Sequence, residues 1–297
     1  MTNTDSGRQV LLTVAMGKRL LGDALAADPA ILEAEKHHCL VVILGSTNAQ
    51  VAASIAAALS LPFSPKGFHR GLQRGNEQVS NPTPPQTADF IVKEGQRLEG
   101  KTIFDVVDTL GPDDIILKGA NAIHLESRTA GILIASPVGG TIIPITSVAV
   151  GRRTRLIHPV GLEKRVERPI SELARLANRS GQKGLRLMES CGDIYTELDA
   201  VRDLFSVRAT LLAAGGVLGA EGSVLLQLSG NEENLCKAET YFRSIQDTPS
   251  FSLLVLRKTP ASVITASTGW SCASRGMSSE SRRSRIKSAR KAFVFGR

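Results

Sequence analysis

Three short stretches of the chain join glycine to small polar or basic residues directly after an aliphatic run: Gly45-Ser46-Thr47-Asn48, Lys118-Gly119-Ala120-Asn121 and Ser136-Pro137-Val138-Gly139-Gly140-Thr141. Where such a turn leads from a strand into a helix, unpaired backbone N–H groups and the helix dipole together favour an anion, and phosphate fits that description. Ser46 and Thr47 suit this chemistry and read equally as caps on their own helix. Lys118 is a candidate for neutralising the anion, and Asn121 for hydrogen bonding to a hydroxyl or carbonyl. Gly45, Gly119, Gly139 and Gly140 allow close approach of the backbone, with Thr141 leading into a helix. Arg70, in Phe68-His69-Arg70-Gly71, stands in a long loop that could bring its guanidinium onto a phosphate.

Proton-transfer candidates are His124, Glu126, His158, Glu163 and Lys164, which all follow predicted strand ends, yet none has a partner enforced by spacing. A lone histidine beside a sheet is more often a hydrogen-bonded structural residue than a base. Cys39, Cys191, Cys236 and Cys272 show no short paired spacing and no histidine at ligand distance in sequence, so neither a metal site nor a disulfide framework is expected. No cofactor is implied. Reduced thiols fit a cytoplasmic protein.

The elements that must position these residues follow from hydrophobic periodicity. Helical spacing covers 17–25 and resumes at 31–36. Residues 39–44 are an unbroken β-branched and aliphatic run, which predicts a central parallel strand, and 49–59 a small-residue helix. Prolines break any regular element over 62–87. Strands are predicted at 88–92, 114–118, 131–136 and 155–159, with helices at 103–110 and 141–150. This alternation predicts an α/β domain over 1–180, with a mostly parallel Rossmann-like sheet and helices on both faces. The three loops above would then all lie at its carboxyl edge, where open sheets bind ligands. Beyond 184 the order strand, helix, strand, strand, helix, strand predicts a small ferredoxin-like α+β domain over 184–258, its last strand at 251–256. Residues 260–297 are rich in Ser and Arg and read as a disordered tail.

Composition sets the outer limits. Aromatics are only 4% of the 297 residues, so Ala, Val, Ile and Leu must fill the core, as layered strands and helices do. The formal charge of +8 suggests nucleic acid until it is located: residues from Ser271 onward carry +7, leaving +1 for the rest. The folded body therefore lacks the footprint of a phosphate-backbone binder. No stretch approaches the length of a membrane span, and the amino terminus lacks the pattern of a signal peptide.

The strand and turn Val41 to Asn48, then Ile115-Ile-Leu-Lys-Gly-Ala-Asn-Ala-Ile123, then Gly131-Ile-Leu-Ile-Ala-Ser-Pro-Val-Gly-Gly-Thr141, resemble the ribose-5-phosphate isomerase and CoA-transferase-like superfamily over about residues 17–160. The resemblance implies a phosphate held at Gly45–Asn48 and an acid after the later Gly-Ala. This chain has Asn121 there, and an amide cannot take a proton. Isomerase chemistry would then need Glu126 or Glu163, or has been lost. The expected function is binding of a phosphorylated small molecule, a sugar phosphate or a nucleotide, by an isomerase-like enzyme. The alternative is a non-catalytic ligand-binding or assembly protein on the same scaffold. A homo-oligomer is conceivable by analogy, since ferredoxin-like units often pair.

Overall fold

The computed structural model describes residues 6–70 and 86–250. These form β1 (Ser6–Leu12), α1 (Val14–Ala26), α2 (Pro29–His37), β2 (Cys39–Val42), α3 (Ser46–Ala58), β3 (Phe90–Lys93), β4 (Gln96–Arg97) and α4 (Ile103–Val106). There follow β5 (Ile115–Leu117), β6 (Ala122–His124), β7 (Thr129–Ile134), α5 (Ile142–Gly151), β8 (Arg155–Pro159), α6 (Ile170–Ala177), β9 (Arg186–Ser190) and β10 (Asp193–Tyr195). The described chain ends with α7 (Glu197–Phe205), β11 (Arg208–Ala214), β12 (Val224–Gly230) and α8 (Glu232–Ser244). The fold is mixed α/β, organised around a mixed six-stranded sheet in the order β10-β8-β5-β2-β3-β4.

Strands β10, β8, β5 and β2 run parallel, as the apolar runs at 39–44, 114–118 and 155–159 predict. They are buried on both faces. Leu40 and Val42 pack with α2 and α3, and Val41 and Ile116 pack with α4 and α5 on the opposite face. Each fully buried aliphatic side chain of this kind contributes roughly 1.5–3 kcal/mol.

Three expectations change. First, β3 runs antiparallel to β2 rather than parallel. The chain returns to the carboxyl edge instead, where Asp89 accepts the Leu44 N–H at 2.9 Å before β3 descends.

Second, β7 lies outside the parallel sheet. It is the centre of an antiparallel sheet, β6-β7-β9, because the turn 125–128 sends the chain straight back. The Gly139–Thr141 stretch therefore does not end a parallel strand.

Third, the predicted ferredoxin-like strands do not share one sheet. β9 joins β7, β10 extends the six-stranded sheet, and β11 and β12 pair with β1 from the amino terminus in the order β1-β12-β11. The apolar faces at 185–228 find partners in the first half of the chain. A shared core links α1, α7, α8 and this last sheet through residues such as Leu20, Val201, Leu226 and Phe242. The predicted strand at 251–256 and the tail at 260–297 lie outside the described residues.

Helix α1 is held close to its neighbours by two glycines. A Cβ on Gly22 would meet Gln50 O at 2.8 Å and Ser54 Oγ at 2.7 Å on α3, and one on Gly17 would meet Glu197 Oε1 at 2.6 Å. Thr13 caps the helix, its Oγ1 accepting from Met16 N at 3.2 Å. This approach carries Lys18 to the carboxyl edge of the sheet.

Candidate anion-binding site at the carboxyl edge

Helix α3 begins directly beyond β2 without a side-chain cap. Its first intrahelical bond is Ala49 N to Gly45 O at 2.8 Å, which leaves the leading N–H groups outside the helical ladder. Ser46 and Thr47, expected either to cap the helix or to meet an anion, sit in its first turn and accept hydrogen bonds from two lysines. Lys18 Nζ donates to Ser46 Oγ at 3.2 Å, and Lys164 Nζ donates to Thr47 Oγ1 at 3.4 Å and to Ala120 O at 3.0 Å. Asn48 is fully buried. Its Nδ2 donates to Ile43 O at 2.8 Å and Leu117 O at 2.9 Å, clamping β2 to β5, while its Oδ1 has no partner and lies on the side of Gly119. Gly45 is extended (φ 179°), and a Cβ on Gly45 or Gly119 would meet only ordinary contacts, so neither position demands glycine.

A second cationic group stands beside the same turn, toward β3. Lys118 extends from the end of β5 near buried Asp89, whose carboxylate accepts from Leu44 N at 2.9 Å and Ile103 N at 2.8 Å. Arg70 approaches Asp89 at 3.8 Å. Arg70, Lys118 and the two lysines that donate to α3 thus all stand about the β2 to α3 turn.

The electrostatics show how costly this gathering of charge is. Burial, reinforced by the neighbouring Lys164, lowers the Lys18 pKa to about 8 against the opposing pull of Glu163. Burial likewise lowers Lys164, with Glu163 and Glu197 opposing. Lys118 falls to about 8, again through burial, although Asp89 pulls it upward. Glu197, 2% exposed, accepts from Leu162 N at 2.9 Å. Burial, followed by repulsion from Glu163, raises its pKa to about 8.

The remaining predicted residues lie elsewhere or do other work. Asn121 Oδ1 accepts from Leu133 N at 3.0 Å and Asn121 N donates to Gly131 O at 2.9 Å, so this residue stitches the β6–β7 hairpin. Glu126 is exposed in that hairpin's turn. With Glu163 it lines an open cleft of about 440 Å³. Gly139 and Gly140 adopt left-handed φ values of 83° and 63°, and their nearest neighbours are Ile143 and Ser136 of the same segment. Thr141 opens α5 without a side-chain cap. His158 is structural: Nδ1 donates to Lys118 O at 2.6 Å and Nε2 accepts from Ser190 Oγ at 2.7 Å, with burial lowering its pKa to about 4.

Lys18, Asp89 and Glu197 were not singled out in the sequence. Only the Gly17-Lys18 step at the start of α1 hints at the first. Among the described residues no group of three or more His, Cys, Asp or Glu is placed to hold a metal ion, and no helix is long and apolar enough to cross a membrane. No protein-family model, curated protein or solved structure matches the chain.

Proposed function

We propose that the carboxyl edge of the parallel strands binds a phosphorylated small molecule, with the phosphate at the start of α3 between Lys18 and Lys164. One observation carries this reading: two lysines converge on the first-turn hydroxyls of an uncapped helix. Helix N-termini bind anions through free N–H groups and the dipole, and two ammonium groups with lowered pKa values gain most from a neutralising partner. Lys118 and Arg70 add positive charge beside the turn. The resemblance to the ribose-5-phosphate isomerase and CoA-transferase-like superfamily read from the sequence over about residues 17–160 is in keeping with this proposal.

Glu163, beside both lysines, is the residue placed to move a proton if chemistry follows. The non-catalytic alternative draws support from Asn121, whose oxygen is already taken by a backbone N–H. Calorimetric titration with inorganic phosphate and with pentose and hexose phosphates tests the reading, alongside turnover assays. Phosphate should bind the wild type and lose about tenfold or more in affinity in Lys164→Met, which removes a charge-assisted contact. Turnover abolished in Glu163→Gln with binding kept identifies an enzyme. Absence of saturable binding of any of these compounds overturns the proposal.

A further inference from the structure

The start of α3 holds one hydrogen-bonding atom that the phosphate reading does not use. Asn48 is 0% exposed, and its Nδ2 donates to Ile43 O at 2.8 Å and to Leu117 O at 2.9 Å. Two carbonyl acceptors fix the orientation of the carboxamide, because turning it over would set its oxygen against both of them. Oδ1 is therefore an acceptor, and among the described residues no group donates to it. Buried acceptors are almost always matched, and an unmatched one is costly.

Oδ1 lies toward the β5 to β6 turn. A Cβ built on Gly119 would stand 4.0 Å from Oδ1 and 3.8 Å from Pro159 O, and apart from its chain neighbours nothing else comes within 4 Å. The glycine thus leaves room for a small group beside two oxygen acceptors. Contact joins this turn to the anion site: Lys164 Nζ donates to Thr47 Oγ1 at 3.4 Å and to Ala120 O at 3.0 Å, the residues adjoining Asn48 and Gly119. A phosphate between Lys18 and Lys164 and a donor beside Gly119 would be neighbours. Consecutive Cα atoms are about 3.8 Å apart, a span that about two or three carbons bridge.

Resting on the phosphate reading above, we infer that the ligand is a phosphate ester bearing a hydroxyl group about two or three carbons from the ester oxygen, and that this hydroxyl donates to Asn48 Oδ1 beside Gly119. The donor is neutral, since an ammonium there would meet the like charge of Lys164, whereas a hydroxyl donates without adding charge. The phosphate cannot fill this role itself, because its dianion only accepts. Asn48 thus selects among phosphate esters.

Calorimetric titration into the full chain compares hydroxyethyl and hydroxypropyl phosphate with methoxyethyl and ethyl phosphate, beside inorganic phosphate. The methoxy ester keeps the oxygen and lacks the donor. The better hydroxyalkyl ester should bind about tenfold tighter than either control, the gain from matching a buried acceptor otherwise left unpaired. In Gly119→Ala that ratio should fall to about one. The new methyl fills the space, and it meets only ordinary contacts at a backbone angle outside the left-handed region, so the fold is kept. Equal affinities of the hydroxyl and methoxy esters in the wild type overturn the inference while leaving phosphate binding intact. A preference that survives Gly119→Ala also overturns it, because the hydroxyl would then be recognised elsewhere, and so does tighter binding of aminoethyl phosphate than of hydroxyethyl phosphate. If inorganic phosphate and every ester fail to bind, the phosphate reading falls and this inference with it.

Discussion

Replacing Glu197 with glutamine isolates the energetic consequence of sealing a carboxyl group beneath the lysine site. The side chain is wedged between Gly17 of α1 and Leu162, is 2% exposed, and has its pKa raised from 4.5 to about 8 by burial and by Glu163. Between these two values the folded protein holds a proton that the unfolded chain releases, so stability falls as pH rises through that window. At 1.36 kcal/mol per pH unit the full interval corresponds to about 5 kcal/mol, and relaxation around a newly formed carboxylate brings the observable part to about half of that. Glutamine has no proton to lose and can still accept from Leu162 N. Urea denaturation of both proteins, from about pH 4 to about pH 9, measures the difference. The two should match near pH 4, and the variant should gain about 2–3 kcal/mol over the wild type by pH 9. Parallel stability curves would refute the burial argument, because a carboxyl group titrating near its ordinary value could not sit in a dry pocket.

Three further outcomes follow from packing and hydrogen bonding. Gly22→Ala should destabilise by about 1–3 kcal/mol in thermal or urea unfolding, since the new methyl meets the Gln50 carbonyl at 2.8 Å, and the helix-propensity gain of about 1 kcal/mol does not offset it. Gly151→Ala, whose Cβ would meet nothing within 4 Å at the end of α5, should be neutral or stabilise by up to about 1 kcal/mol in the same assay. Asp89→Asn should cost about 1–3 kcal/mol, because a carboxamide cannot accept from both Leu44 N and Ile103 N through two oxygens. The same change removes the carboxylate that pulls the Lys118 pKa upward, so that lysine should titrate at lower pH, readable by NMR of the labelled amine.

The parts legible in the sequence are those with a local signature. Cys39 to Leu44, Ile115 to Leu117 and Arg155 to Pro159 announce buried parallel strands by aliphatic content, and Gly45 to Asn48 announces a strand-to-helix turn. Helix α6 leaves little mark between a proline and a polar stretch, and β1 leaves little because only its last three residues, Val10 to Leu12, are apolar. Sheet membership was the larger loss. Which strand β9, β10 or β12 pairs with depends on contacts tens to hundreds of residues away, and no periodicity records them. The candidate site divides in the same way: Ser46, Thr47, Lys118 and Lys164 stand at readable strand ends, whereas Lys18 and Glu197 reach the site through the close crossing that Gly17 and Gly22 permit. Gly139 looked like a ligand loop because its glycines serve a tight turn against Ile143, and turn and ligand leave the same mark in sequence.

The central claim concerns where an anion goes, so the most direct measurement is to locate one. Crystals of the protein grown without phosphate or sulfate and soaked in tungstate, an electron-dense phosphate analogue, should give their strongest anomalous peak at the start of α3, within hydrogen-bonding reach of Lys18 Nζ and Lys164 Nζ, and that peak should vanish in Lys164→Met. Dominant peaks away from the β2 to α3 turn, or a site at that turn indifferent to the Lys164 substitution, would contradict the account.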